Sequence, residues 1–358
     1  MDALFRRYPA LQGRLPYVRL AELPTPLVAA PALADAIGAG ELFIKDDGVS
    51  APAYGGNKIR KLELLLGLAK AQRRRRVITF GYAGSNHATA TAHAAASLGM
   101  TSVSMLLPQA NEPYVGRNLL VSQAAGASFH LHGSVPRLAA STVGRWLAST
   151  VADRRPPAVI PPGGSSPLGT VGYVAAAFEL AEQVEAGLAP WPAAIYVAAG
   201  SLGTAVGLAL GLEALGAPTR VVAVRVAATE YVNARLAARL ATRTANLLDR
   251  HEVSVRYPFA SSERLEIREG FFGAGYAIAT DQGREAARTV ADTAGLSVDP
   301  SYTAKTLAAL IADARGGRLA GPTVFWNTYN QRDTAPLTAA ADAAALPPGL
   351  RAYVDDRV

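Results

Sequence analysis

The chain has 358 residues, 50% of them hydrophobic and 18% charged, with a net charge of +7 and no cysteine. This is the balance of a globular chain with one large or two modest domains, and it excludes disulfides, thiolate nucleophiles, iron–sulfur clusters and cysteine-based zinc sites. The N-terminus lacks the apolar core of a secretory signal, and no segment approaches the ~20 uninterrupted apolar residues of a membrane span, so a cytoplasmic protein without a membrane partner is expected.

In chain order, short apolar runs at 41–45, 77–80, 102–107, 194–198, 220–225 and 323–326 read as strands. Alanine- and leucine-rich stretches at 88–98, 172–186 and 203–215 read as helices. Their alternation predicts an α/β fold with mostly parallel sheet flanked by helices. The run Arg73, Arg74, Arg75, Arg76 follows an apolar helical pattern over 62–71. Cations there complement a helix C-terminus, and no nucleic-acid signature accompanies them, so no nucleic-acid partner is expected.

Glycine-rich turns punctuate the strand ends, where ligands collect in open α/β sheets. No segment fits GxxxxGK[ST] or a strand-to-helix GxGxxG, which weighs against a nucleotide-dependent enzyme. The loop Ala199, Gly200, Ser201, Leu202, Gly203, Thr204 follows a strand and opens a helix, so its amides and hydroxyls suit an anion; many such turns bind nothing. Lys58 follows two glycines at a helix start, where positive potential favours a neutral amine; an isolated surface lysine would read the same way. Ser85, Asn86 and His87 begin another helix, as a carboxylate site or as an ordinary N-cap. His87, His93, His130, His132 and His251 offer no convincing ligand set, so no metal is expected.

Taken together, GGNKIRKLE (55–63), GSNH (84–87), PPGGSSPLGTVGY (161–173), AGSLGT (199–204), GAGYAIAT (273–280) and DPSYTAK (299–305) change this picture. Their succession resembles the D-cysteine desulfhydrase and 1-aminocyclopropane-1-carboxylate (ACC) deaminase family. Those are pyridoxal-phosphate (PLP) enzymes of fold type II, the tryptophan-synthase β-subunit fold. The resemblance implies a homodimer of two-domain chains, with a large cofactor domain from 1–57 and 161–358 and a small domain from 58–160.

It also implies roles. Lys58 would hold the cofactor as a Schiff base and move the substrate proton, with Asn57 beside the ring hydroxyl. Residues 199–204 would cradle the phosphate, Thr303 would meet the pyridine nitrogen, and Thr328 would lie at the cofactor. Ser85, Asn86 and His87 would receive the substrate carboxylate, with Ser85 near the reacting carbons, and Tyr276 and Tyr302 would flank the substrate. The matching ACC deaminases carry Glu at position 303 and SNQ in place of SNH. A threonine hydroxyl brings no charge and leaves the ring nitrogen neutral, which favours α,β-elimination from a small amino acid over ring opening. Ring-opening deamination, another amino-acid substrate and a non-catalytic PLP-binding protein are the alternatives. The sequence departs from the family at Thr89 and Ala90, where the family pattern SNHxRQT carries Arg and Gln, and at the turn Asn327, Thr328, Tyr329, Asn330, where larger polar side chains are expected to reshape the pocket.

Overall fold

The computed structural model describes residues 1–251, 253, 255–259 and 263–355. By internal contacts the chain divides into two compact units, one of residues 1–15, 21–61 and 165–331 and the other of 16–20, 62–164 and 332–358. Among the described residues the strands in chain order are β1 (Leu27–Ala29), β2 (Leu42–Asp46), β3 (Arg76–Tyr82), β4 (Thr101–Leu107), β5 (Ser128–Leu131), β6 (Ala158–Ile160), β7 (Ala194–Ala199), β8 (Arg220–Arg225), β9 (Leu265–Arg268) and β10 (Thr323–Asn327).

The larger unit carries a sheet in the order β1-β2-β10-β7-β8-β9. All its pairings are parallel except that of β1 with β2. β7 is buried along its whole length, which is why it reads as an unbroken apolar run. One hydrophobic core of this unit joins Tyr196, Val222, Val224 and Phe325 from the sheet to Leu307 and Ile311 of the helix Thr303–Arg315. The chain leaves β7 at Ala199 and enters the helix Gly203–Ala214, so the 199–204 loop lies at the carboxyl end of a central parallel strand.

The smaller unit has an all-parallel sheet in the order β5-β4-β3-β6. The turn after β3 leads through Ser85 into the helix Asn86–Ser97, and the Ser85 hydroxyl accepts the Ala88 amide at 3.2 Å as a helix cap.

The division differs from expectation. The divisions fall at 61/62 and 164/165, and residues 16–20 and the described residues from 332 to 355 group with the smaller unit, not the larger. Leu346 and Leu350 join Tyr114, Val115 and Leu119 in one apolar cluster, and the Tyr353 hydroxyl donates to the Gln109 carbonyl at 2.9 Å. The terminal helix Pro348–Asp355 buries its apolar side there, which chain order alone could not assign. No helix among the described residues is long and apolar enough to cross a membrane.

Candidate active site

Lys58 opens the helix Lys58–Ala71. Its amine donates to the Asn57 side-chain oxygen at 2.6 Å, and the Asn57 amide nitrogen donates to the Thr204 hydroxyl at 3.0 Å. Burial lowers the Lys58 pKa to about 8, and the charge of Asp299 opposes part of that shift. The helix is held by charge as well as packing. Arg60, 1% exposed, pairs with Asp47 and Glu179, each at 2.8 Å, and Lys45 shares Glu179 at 2.5 Å. Burial alone would raise the Glu179 pKa, but Arg60 and Lys45 outweigh it and hold the carboxylate ionised. Tyr173 and Trp326 add hydrogen bonds to the second Asp47 oxygen.

The turn after β10 locks the glycines preceding Lys58. The Thr328 carbonyl accepts the Asn57 amide at 3.2 Å, and the Asn330 side chain accepts the Gly55 amide at 2.7 Å. Asn327 donates to Asp46 at 2.7 Å. The larger polar residues of this turn, expected to reshape a pocket, thus direct these two asparagine side chains at the glycine loop and at β2. Gly55 itself has no room for a side chain, since a Cβ would fall 1.9 Å from the Gly48 carbonyl oxygen.

Around the loop that follows β7, Leu202 stands in the left-handed region (φ 65°) and caps the helix Gly203–Ala214 without a side-chain hydrogen bond. The first amides of a helix have no intrahelical acceptor and carry the positive end of its dipole. Ser165 donates to the Ser201 hydroxyl at 3.0 Å and accepts the Gly203 amide at 3.1 Å. The Lys61 amine lies 3.5 Å from the Ser165 hydroxyl. Burial, and then the charge of Lys58, hold the Lys61 pKa well below the ordinary lysine value. Ser165 and Lys61 lie inside motifs visible in the sequence but were given no role there. The signal for Lys61 was its position three residues after Lys58, on the same helix face.

Tyr302 and Tyr276 meet with ring centroids 5.9 Å apart and their hydroxyls hydrogen-bonded. Gly200 makes room for the Tyr302 ring, because a Cβ there would lie 2.9 Å from it. The Lys305 amine donates to the Phe272 carbonyl at 2.6 Å and so anchors the segment leading to Tyr276. Thr303, fully buried, bonds to Asp299 through its hydroxyl at 2.7 Å. Lys58, Asn57, residues 199–204, Tyr276, Tyr302, Thr303 and Thr328 all belong to the larger unit, whereas Ser85, Asn86 and His87 belong to the smaller. There Asn86 accepts from Asn118 at 2.8 Å, and the His87 Nε2 lies 3.0 Å from the Thr79 hydroxyl on β3. His87 is buried against its own sheet.

Residues 18–328 match the family of pyridoxal-phosphate dependent enzymes. The chain belongs to this family. A solved structure described as the ACC deaminase homologue is 31% identical, with 93% of this chain and 96% of that chain covered and a TM-score of 0.77. Threonine deaminase isoform 2 from Solanum lycopersicum shares the fold at 19% identity, with 94% and 86% of the two chains covered and a TM-score of 0.59. A threonine deaminase from T.th. does so at 22% identity, with 94% and 99% covered and a TM-score of 0.58. These relationships make the chain a pyridoxal-phosphate dependent enzyme of fold type II.

The larger unit fits the family's cofactor on its own chemistry. A helix N-terminus whose N-cap residue, Leu202, offers no side-chain hydrogen bond, the hydroxyls of Ser165, Ser201 and Thr204 and the buried Lys61 amine suit a phosphate. A second lysine, Lys58, has a pKa low enough to react as a free amine with an aldehyde.

Proposed function

We propose that this enzyme is a lyase that uses PLP to eliminate a β-substituent from a small amino acid, in the manner of a D-cysteine desulfhydrase. The observation that carries this reading is the hydrogen-bonded pair Tyr276 and Tyr302, with Tyr302 packed on Gly200, in the unit that holds Lys58. Elimination needs a base for the α-proton and a separate acid for the leaving group, and Lys58 with a tyrosine hydroxyl supplies both.

Lys58 would hold the cofactor through its amine. Residues 199–204 with Ser165 and Lys61 would hold its phosphate, Thr303 would meet its ring nitrogen, and Thr328 would border it. Asn57 orients the Lys58 amine and ties it to Thr204. When bound, PLP draws electron density from the substrate α-carbon. Ser85, Asn86 and His87 would take the substrate carboxylate, which fixes the bond to be broken. Lys58 would remove the α-proton, and Tyr276 or Tyr302 would protonate the departing group. With one water consumed, the amino acid then ends as pyruvate, ammonia and the protonated leaving group. The same reading includes a cytoplasmic homodimer, whose assembly light scattering would test.

Similarity to the ACC deaminase homologue favours a second reading, ring-opening deamination. The test gives purified, PLP-loaded enzyme D-cysteine, L-cysteine and ACC in parallel and measures sulfide and pyruvate. Sulfide with equimolar pyruvate from D-cysteine is expected. A keto acid from ACC with no sulfide from either cysteine would establish the second reading instead.

A further inference from the structure

Asp299 is a buried carboxylate that this proposed chemistry leaves without a task. One of its oxygens accepts the Ser301 amide at 3.0 Å and the Tyr302 amide at 2.7 Å. The other accepts the Thr303 amide at 3.2 Å and lies 2.7 Å from the Thr303 hydroxyl. Three of these four partners are backbone N–H groups and can only donate. A carboxyl receiving so many donors is held in its ionised, acceptor-only form. Burial works against the charge and pushes the Asp299 pKa up, but these hydrogen bonds oppose it. Lys58 and Lys305 both feel the Asp299 charge and favour it in return.

The Thr303 hydroxyl has one hydrogen and two lone pairs. Its hydrogen goes to the ionised Asp299 side chain at 2.7 Å rather than to the neutral Asp299 carbonyl at 3.4 Å, and one lone pair accepts the Asp299 amide at 2.8 Å. Only one lone pair is left, so any further partner must be a donor. A pyridine nitrogen meets that demand only when it carries a proton.

Resting on the assignment of Thr303 to the ring nitrogen, we infer that Asp299 is a positioning residue that sets the polarity of the Thr303 hydroxyl and so keeps the bound cofactor's ring nitrogen protonated. This reverses the neutral ring expected from threonine alone. It also removes Thr303 as a reason to prefer elimination over ring opening, because a protonated ring serves both.

The test is nitrogen-15 NMR of the holoenzyme reconstituted with PLP labelled at the ring nitrogen. The wild-type resonance is expected at the upfield position of a protonated pyridine. In Asp299→Asn the carboxamide can donate to Thr303, the hydroxyl turns its hydrogen outward, and the resonance moves downfield to the unprotonated position. Thr303→Val, which loses the acceptor, moves the same way, while Thr303→Ser keeps the wild-type position. If Asp299→Asn does not fold, the wild-type resonance and the Val and Ser variants decide. A downfield wild-type resonance, or no response to these substitutions, overturns the inference. Failure to take up labelled cofactor, seen as a missing absorbance band, overturns the underlying reading and the inference with it.

Discussion

Asn57 and Lys58 are consecutive residues whose side chains hydrogen-bond at 2.6 Å, with the same Asn57 carboxamide continuing to Thr204. The neutral amide fixes the amine without adding charge. Asn57→Asp keeps the shape and places an anion against the amine. The Lys58 pKa is expected to rise by about 1–3 units. The pH dependence of cofactor capture by the apoprotein would show its midpoint moving up by that amount.

In the wild type, capture should follow the free-amine fraction of Lys58, with a midpoint near the pKa of about 8. Against an ordinary lysine at ~10.5, this gives roughly 300-fold more free amine near neutrality. Capture should fall about tenfold per pH unit below the midpoint. The linked stability has a definite sign. The unfolded chain binds more protons at this site between about 8 and 10.5, so the contribution of Lys58 to stability rises with pH across that window. Apoprotein denaturation curves for wild type and Lys58→Met across that range would isolate it.

Arg60→Ala leaves Asp47 and Glu179 buried without their shared cation. The expected loss is about 3–5 kcal/mol. Denaturant unfolding measures it. A cost below about 1 kcal/mol would mean that the network relaxes or hydrates when opened.

Gly55→Ala sets a Cβ against the Gly48 backbone, so the loop before Lys58 must move. Reduced stability and slower cofactor capture are expected together. Gly133→Ala, which meets nothing within 4 Å, is the control and should stay within ~0.5 kcal/mol of wild type.

The parallel strands at the sheet centres were legible because buried strands read as apolar runs, as in β4, β7, β8 and β10. The strands absent from the expectation, β1, β5, β6 and β9, are all edge strands of three or four residues, too short and too exposed to leave such a run. The helix Pro167–Glu185 begins five residues before its expected start at 172, because Ser166 caps it and Pro167 opens it.

At the site, the motif residues could be named from the sequence, but their partners depend on folding. Asp299 lies four residues before Thr303, yet the neutral-ring expectation considered Thr303 alone. Lys305 and Asn330 act on segments about 30 and 275 residues away, at Gly275 and Gly55. Sequence spacing could not reveal such pairs.

The most direct test of the central claim is to reduce the holoenzyme with borohydride, digest it and locate the cofactor-derived mass by peptide mass spectrometry. The account predicts a single modified lysine, Lys58, and no modification in Lys58→Ala. Modification of Lys61, the other low-pKa lysine of the same helix, with Lys58 untouched would contradict it.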